Sequence, residues 1–404
     1  MLKFATTSAE QLWAFTRYMY LSGIDVSHYL HQCELPDSLL YKGNIKISTH
    51  LVYQFIDTVA RAENIPNMGW KAGLKSGHVG LRGLAAQAVK EPTLKQCLRL
   101  IPRLTYTGAS HADFFMLTRN NLVEFCHIGG VVRDYPGYYH VEAYLVMVLM
   151  DIIDHFVPTN FVPTKIRLRS PKPDDWDAQL SDLIKLSDSN SIAHKFSLQD
   201  NLISFDDTHT AIEFASRYLT CERKNWRQAS VLNNAKNKTA ATLEASDVGG
   251  AIGNTEKNVE NEQGKTPSLV LPLEAPICRK SYPALTNLID ILLPYFGQQM
   301  PSLNSVAIMG HTSPRNLQRA LKRQGLTLTL LIQQLRQELA VKLLMQGDSV
   351  QDIARQLGYQ HSTHFIRTFK QLSGITPKQF QKNPQHPLPV ITQVTQSIMA
   401  YNRL

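Results

Sequence analysis

The chain has 404 residues, 43% of them hydrophobic and 19% charged, and a formal net charge of +9. That length suits two or three domains with their own cores. The first 15 residues include Glu10 and no unbroken apolar stretch, which argues against a secretory signal. The longest apolar run, Ala143 to Met150, stops at Asp151, too short to span a bilayer. A cytoplasmic protein with no membrane partner is expected. Cys33, Cys97, Cys126, Cys221 and Cys278 are widely spaced and odd in number, with no CxxC pair. This argues against a disulfide framework or zinc site and for buried free thiols, with no metal and no cofactor.

In chain order, helical spacing begins near Ser8 and again near Thr49, where Leu51, Phe55 and Val59 recur every fourth residue. A third helix is predicted from about Thr93. Two apolar runs flanking Arg119-Asn120-Asn121, in DFFMLTRNNLVEFCHI, predict a β-hairpin. A long helix follows over about Tyr139 to His155, then short strands in TKIRLRS and NLISFDD. The domain of about residues 1–222 therefore reads as α+β. Its candidate chemistry is thin. SGHVGLRG lacks the strand and helix context of a phosphate loop and reads as a turn. Asp151, Asp154 and His155 form a polar helix edge rather than an HExxH pair. His111 and Asp113, near a strand start, are weak pocket candidates. No catalytic residue is expected, and the chain does not read as an enzyme.

From Arg227 to Ile277 there is no Phe, Tyr or Trp. Such a segment lacks the apolar area to offset its ordering entropy, so residues 223–277 are expected to be a flexible linker. The charge divides at the same place. Ile277 to Leu404 holds 14 Lys and Arg against 4 Asp and Glu, while the rest holds 28 against 29. A basic module on a near-neutral carrier is the electrostatic footprint of nucleic-acid binding.

Within that module, about residues 278–385, PSLNSVAIMGHTSPRNLQRALKRQG has the form of a helix-turn-helix. Pro301 and Ser302 open a helix presenting Leu303, Val306 and Ala307 to a core. Gly310 is expected to supply a positive φ at the turn. Ser313 is an N-cap with Pro314 at the first helical position. Leu317, Ala320 and Leu321 then face inward, leaving Arg315, Gln318 and Arg319 to face base edges and Lys322 and Arg323 to meet phosphates.

A connecting helix, about Thr329 to Gln346, carries Leu331, Leu335, Leu339 and Leu343 and ends at Gly347. A second unit follows. Val350, Ile353, Ala354 and Leu357 line its first helix, Gly358 turns the chain, and Phe365 and Phe369 point inward. Ser362, Thr363, His364, Ile366 and Arg367 face the groove, with Lys370 near the backbone. Arg319 and Arg367 hold equivalent places 48 residues apart. One continuous helix between them would set two reading heads roughly 34 Å apart, one duplex turn.

From Leu303 to Phe380 these motifs resemble the AraC/XylS family of bacterial transcription regulators. The shared segments are SPRNLQRALKRQG, Arg336, Ala340, Leu343-Leu344, IARQLGY, HFIRTFK and GITPKQF. The resemblance implies an all-α domain with two helix-turn-helix units. It places base contacts on Arg315, Gln318, Arg319, Thr363, His364 and Arg367, with Ser362 and Ile366 beside them. Two departures stand out: Gly310-His311 sits one place earlier than the usual Leu-Gly, and His361 stands where an Asp is usual. The N-terminal domain is similar to the arabinose-binding-like domain of the family, on GHVGLRGLAAQAVKEPTLKQCLRLIPRL, IRLRSPKP and FDD. The resemblance implies promoter DNA, RNA polymerase, a small-molecule effector and a second copy of the chain as partners; the effector site is not placed. The alternative is a ligand-independent regulator whose N-terminal domain only dimerises or contacts polymerase. The linker is longer than the family's usual one, which argues against tight coupling of the domains. Residues 386–404 run past the family motif as a tail.

Overall fold

The computed structural model describes residues 4–40, 45–76, 84–108, 112–186, 201–224 and 283–384. Gly77 to Gly83, His111, Cys278, the linker from residue 225 on and the C-terminal tail lie outside the described residues.

The N-terminal part opens with strand β1 (Thr6–Ser8), helices α1 (Glu10–Leu21) and α2 (Val26–Gln32), and strand β2 (Lys46–Ser48), which pairs antiparallel with β1. Helix α3 (Thr49–Ala62) starts where the periodicity placed it, because the Ser48 hydroxyl accepts from the Leu51 amide at 3.4 Å. Helices α4 (Met68–Ser76), α5 (Leu84–Ala88) and α6 (Leu94–Gly108) follow.

The expected hairpin is β3 (Ala112–Arg119) with β4 (Leu122–Gly129), joined by Asn120 and Asn121 at φ 46° and 64°. Asn tolerates the left-handed conformation that a two-residue hairpin turn requires. The long helix α7 (Tyr138–Asp154) comes next, then β5 (Lys165–Arg167), α8 (Trp176–Lys185), β6 (Ile203–Ser204) and β7 (Thr210–Ala215). The sheet order is β3-β4-β7-β5-β6, antiparallel except for the parallel β5-β6 pair.

Side chains alternate across a strand. Val123, Phe125, Ile166, Ile212 and Phe214 thus share the inner face, and each is fully buried in one cluster with Val146, Leu149 and Ile153 of α7. Glu142 fastens this helix to the sheet. Its buried carboxylate accepts from the Arg169 amide at 2.8 Å, the Ser170 amide at 3.0 Å, the Ser170 hydroxyl at 2.5 Å and the Thr210 hydroxyl. A carboxylate removed from water is tolerated where four donors replace its hydration.

At the other end of α7, Asp151, Asp154 and His155 form the expected polar helix edge; burial pushes the Asp151 carboxyl up to about 6. Asp113 is exposed on the edge strand β3. Cys33, Cys97 and Cys126 are buried free thiols, whereas Cys221 is only half-buried.

The C-terminal part is all helical: α9 (Pro283–Leu292), α10 (Leu303–Met309), α11 (Pro314–Arg323), α12 (Leu328–Met345), α13 (Val350–Gln356), α14 (Ser362–Ser373) and α15 (Pro377–Lys382). Helix α9 was not anticipated. It docks on the N-terminal domain, with Asn287 Nδ2 donating to the Phe4 carbonyl at 2.8 Å and Lys46 Nζ 3.7 Å from Asp290. Just beyond it, Tyr295 donates its hydroxyl to the Glu34 carbonyl at 2.8 Å. The two domains therefore touch directly, contrary to the loose coupling that the long linker implies.

Candidate nucleic-acid interface

The first unit is α10 and α11. Ser302 caps α10 by accepting from the Ser305 amide at 3.1 Å, and Ser313 caps α11 by accepting from the Asn316 amide at 3.2 Å, with Pro314 at the first helical position. The turn between them differs from expectation. Gly310 has φ −92°, and it is His311 that takes the left-handed conformation, with φ 44°. Gly310 is needed for space instead. A Cβ there would lie 2.7 Å from Phe4 Cε1, so any larger residue would have to displace the Phe4 ring that the turn rests on.

That contact continues on both sides. Ser48, while capping α3, donates its hydroxyl to the Met309 carbonyl at 2.8 Å in a buried position. His311 stacks on His50 with centroids 4.9 Å apart and planes 6° apart, and Tyr135 stands edge-on to His50 at 5.0 Å and to His311 at 5.2 Å.

On α11, Leu317 and Leu321 are buried and Ala320 is half-buried; Leu303 on α10 is also only half-buried, while Val306 and Ala307 are fully so. Arg315, Gln318, Arg319, Lys322 and Arg323 are exposed on the opposite side. The docked N-terminal domain covers the turn and leaves this basic face open.

Helix α12 begins at the N-cap Thr327, whose hydroxyl accepts from the Leu330 amide at 3.1 Å. Leu331, Leu335, Leu339 and Leu343 are all buried. Gly347, at φ 87°, lets the chain leave the helix. In the second unit Ser349 caps α13 by accepting from the Asp352 amide at 3.1 Å. Ile353, Ala354 and Leu357 are buried, Val350 is half-buried, and Gly358 turns the chain at φ 78°.

Phe365 and Phe369 of α14 pack inward, centroids 5.8 Å apart. Thr363, His364, Arg367 and Lys370 are exposed, and Ser362 and Ile366 are half-buried. Sequence reasoning missed the support under this face. Tyr359 carries the Arg336 guanidinium over its ring at 5.2 Å, meets His364 edge-on at 5.4 Å and packs against Phe365 at 5.6 Å. An aromatic residue just after the turn glycine was the available signal. His361 occupies the N-cap position of α14 with extended backbone, φ −132° and ψ 136°, and makes no side-chain capping bond.

A cleft of about 470 Å³ lies where α2 and the residues after it meet the segment leading into α10; His31, Glu34, Asp37, Tyr295, Gln298 and Ser302 are among its lining. Among the described residues no helix is long and apolar enough to cross a membrane.

Two helix-turn-helix units with exposed basic second helices define a DNA-binding protein of the double helix-turn-helix class. Residues 306–383 match the model of a helix-turn-helix domain, and residues 23–181 match that of the arabinose-binding domain of AraC transcription regulators. The chain belongs to the AraC/XylS family of transcription regulators and carries an arabinose-binding-like N-terminal domain. Three relatives agree with this. The HTH-type transcriptional regulator YtdP of Bacillus subtilis is 33% identical over 98 residues, 24% of this chain and 13% of YtdP. The HTH-type transcriptional activator FapR of Escherichia coli is 32% identical over 80 residues, 20% of this chain and 31% of FapR. The HTH-type transcriptional regulator NimR of Escherichia coli is 42% identical over 69 residues, 17% of this chain and 25% of NimR. The matched segments thus span less than a third of each relative.

The uncapped start of α14 makes a prediction. An Asp at this extended N-cap position accepts a bond from the first turn and complements the helix dipole. His361→Asp should raise the unfolding free energy of the full chain by about 1 kcal/mol in urea denaturation. An unchanged or lower value would show that α14 gains nothing from a cap there.

Proposed function

We propose that the chain is a sequence-specific transcription regulator that reads promoter DNA with α11 and α14 and responds to a small-molecule effector. The observation that carries the DNA reading is the repetition of one device: a short second helix with a buried apolar face and an exposed Arg at an equivalent place, Arg319 and Arg367. Arg bonds guanine bidentately and Gln bonds adenine, so Arg315, Gln318 and Arg319 read one groove segment. Ser362, Thr363, His364 and Arg367 read the next. Lys322, Arg323 and Lys370 hold phosphates and set the salt dependence. In this reading residues 1–222 form the sensing domain, 278–385 the DNA-binding domain, 223–277 the linker and 386–404 a tail. The protein acts in the cytoplasm with RNA polymerase, as a homodimer. Helix α12, 18 residues long, spans about 27 Å at ~1.5 Å per residue, a suitable spacer between heads on neighbouring turns.

The effector part rests on the arabinose-binding-like domain and on its direct seat against the turn of the first unit. A ligand that favours one packing of this contact shifts the DNA-binding unit by its differential affinity for the two states. A metabolite screen on the full chain should find a compound that raises the melting temperature and also changes DNA affinity. A flat screen across the panel favours the ligand-independent alternative.

For the DNA reading, Arg319→Ala should weaken binding to a selected operator by about 1–3 kcal/mol and relax the preference at particular base pairs. Lys322→Ala should weaken operator and random DNA alike and reduce the salt slope by about one. Equal losses on both DNAs for both variants would overturn the division into base readers and phosphate holders.

A further inference from the structure

The outer face of the five-stranded sheet carries a group of metal-ligating side chains that no part of the DNA reading uses. Alternation puts Glu124 and Cys126 of β4 on this face, and the register sets Cys126 opposite Ala211 and Glu124 opposite Glu213 on β7. Cys126 is fully buried beside the small Ala211, and His209, two residues before Ala211, is half-buried. One donor atom each from Glu124, Cys126 and His209 lies within 4.8 Å of the others.

We propose that Glu124, Cys126 and His209 form a binding site for a zinc-class divalent cation, with a fourth position open to water or an exogenous ligand. Three observations carry this. The donor set is one thiolate, one imidazole and one carboxylate, a combination that suits zinc among the common divalent ions. The orientation is already fixed. His209 Nδ1 lies 2.9 Å from the Thr208 hydroxyl, which leaves Nε2 facing Glu124 Oε2 at 3.4 Å. An N–O separation of that size is what two ligands about 2.0–2.1 Å from a shared tetrahedral ion would have, so only the thiol has to close in. The other Glu124 oxygen is held by Arg167 Nη2 at 3.2 Å, an outer contact of the kind that orients metal ligands.

Charge gives the third argument. Glu124, Glu213 and Asp207 surround the single Arg167 guanidinium at 3.2, 3.2 and 3.8 Å. Lys165, paired in register with Glu213, is a second cation on this face. Three carboxylates set against these two cations leave an excess of negative charge, and the thiolate that forms on binding adds to what a divalent ion offsets. Without an ion the thiol keeps its proton, because burial and the Glu124 charge push it up to about 12. For Glu124, burial alone would raise the carboxyl, but the His209 hydrogen bond and the Arg167 charge outweigh it and hold the group below its usual range. Binding therefore forms the metal–sulfur bond and releases one proton from Cys126 to solvent.

The test uses the full chain without DNA, so it stands or falls apart from the DNA reading. Cobalt(II) alone is the probe, with zinc(II) as competitor. One equivalent of cobalt should give a thiolate-to-metal charge-transfer band and the intense visible bands of a tetrahedral site, and zinc should bleach both. Cys126→Ser should lose the charge-transfer band while Cys33→Ser keeps it. His209→Ala, at a half-buried position, should bind cobalt at least tenfold more weakly with an unchanged melting temperature. Absence of a thiolate band, its persistence in Cys126→Ser, or undiminished affinity in His209→Ala would overturn the site.

Discussion

The buried leucine stripe of α12 is the constraint on which the DNA-binding domain depends. Leu331, Leu335, Leu339 and Leu343 repeat every four residues and are each withdrawn from water. The two recognition helices are short, at 10 and 12 residues, and helices of that length are marginal in isolation. They persist because each lays an apolar face on a core: Leu317 and Leu321 in one, Phe365 and Phe369 in the other. The 18-residue α12 between them has no glycine or proline within it, so the separation of the two units is set by a rigid element.

Besides the contacts of α9 and Tyr295, the N-terminal domain meets the first helix-turn-helix unit at its turn. Met309, Gly310 and His311 form the turn of the first unit, and Ser48, Phe4, His50 and Tyr135 form its seat. The seat is built by ordinary folding requirements. Ser48 is there to cap α3, and its hydroxyl still has a proton to give to Met309. Phe4 precedes the first strand and fills the space that Gly310 leaves open. A change in the position of α3 therefore reaches the N-cap of α11 through a handful of atoms. Neither the basic face of α11 nor that of α14 is covered by this contact, so docking and DNA reading are compatible in the same conformation.

Much of the DNA-binding domain was legible in the sequence because its signals are local. The serines at 302 and 313, the leucine spacing, the glycines at 347 and 358 and the concentration of positive charge each act within a few residues. Their agreement is what makes the pattern specific. The hairpin at Asn120-Asn121 was legible for the same reason. What was missed depends on residues far apart in the chain. Strand β7, in the middle of the sheet, is a run of six in which Glu213 interrupts the apolar pattern, and its partners come from β4 and β5. Helix α9 was passed over because its apolar face has meaning only against Phe4 and β2. The turn at Gly310 was assigned to the right residue for the wrong reason: the sequence pattern suggested backbone freedom, while the structure uses the absence of a side chain. The Glu124, Cys126 and His209 grouping is hidden from spacing rules, since its third member lies 83 residues beyond the second.

The claim at the centre of this account is that one chain presents two reading heads to one side of a duplex. Hydroxyl-radical footprinting of the full chain on a selected operator tests it most directly. Two protected stretches on one face, about 10 base pairs apart, are the expected result, the first weakened by Arg319→Ala and the second by Arg367→Ala. A single protected stretch, with Arg367→Ala leaving both pattern and affinity unchanged, would contradict it.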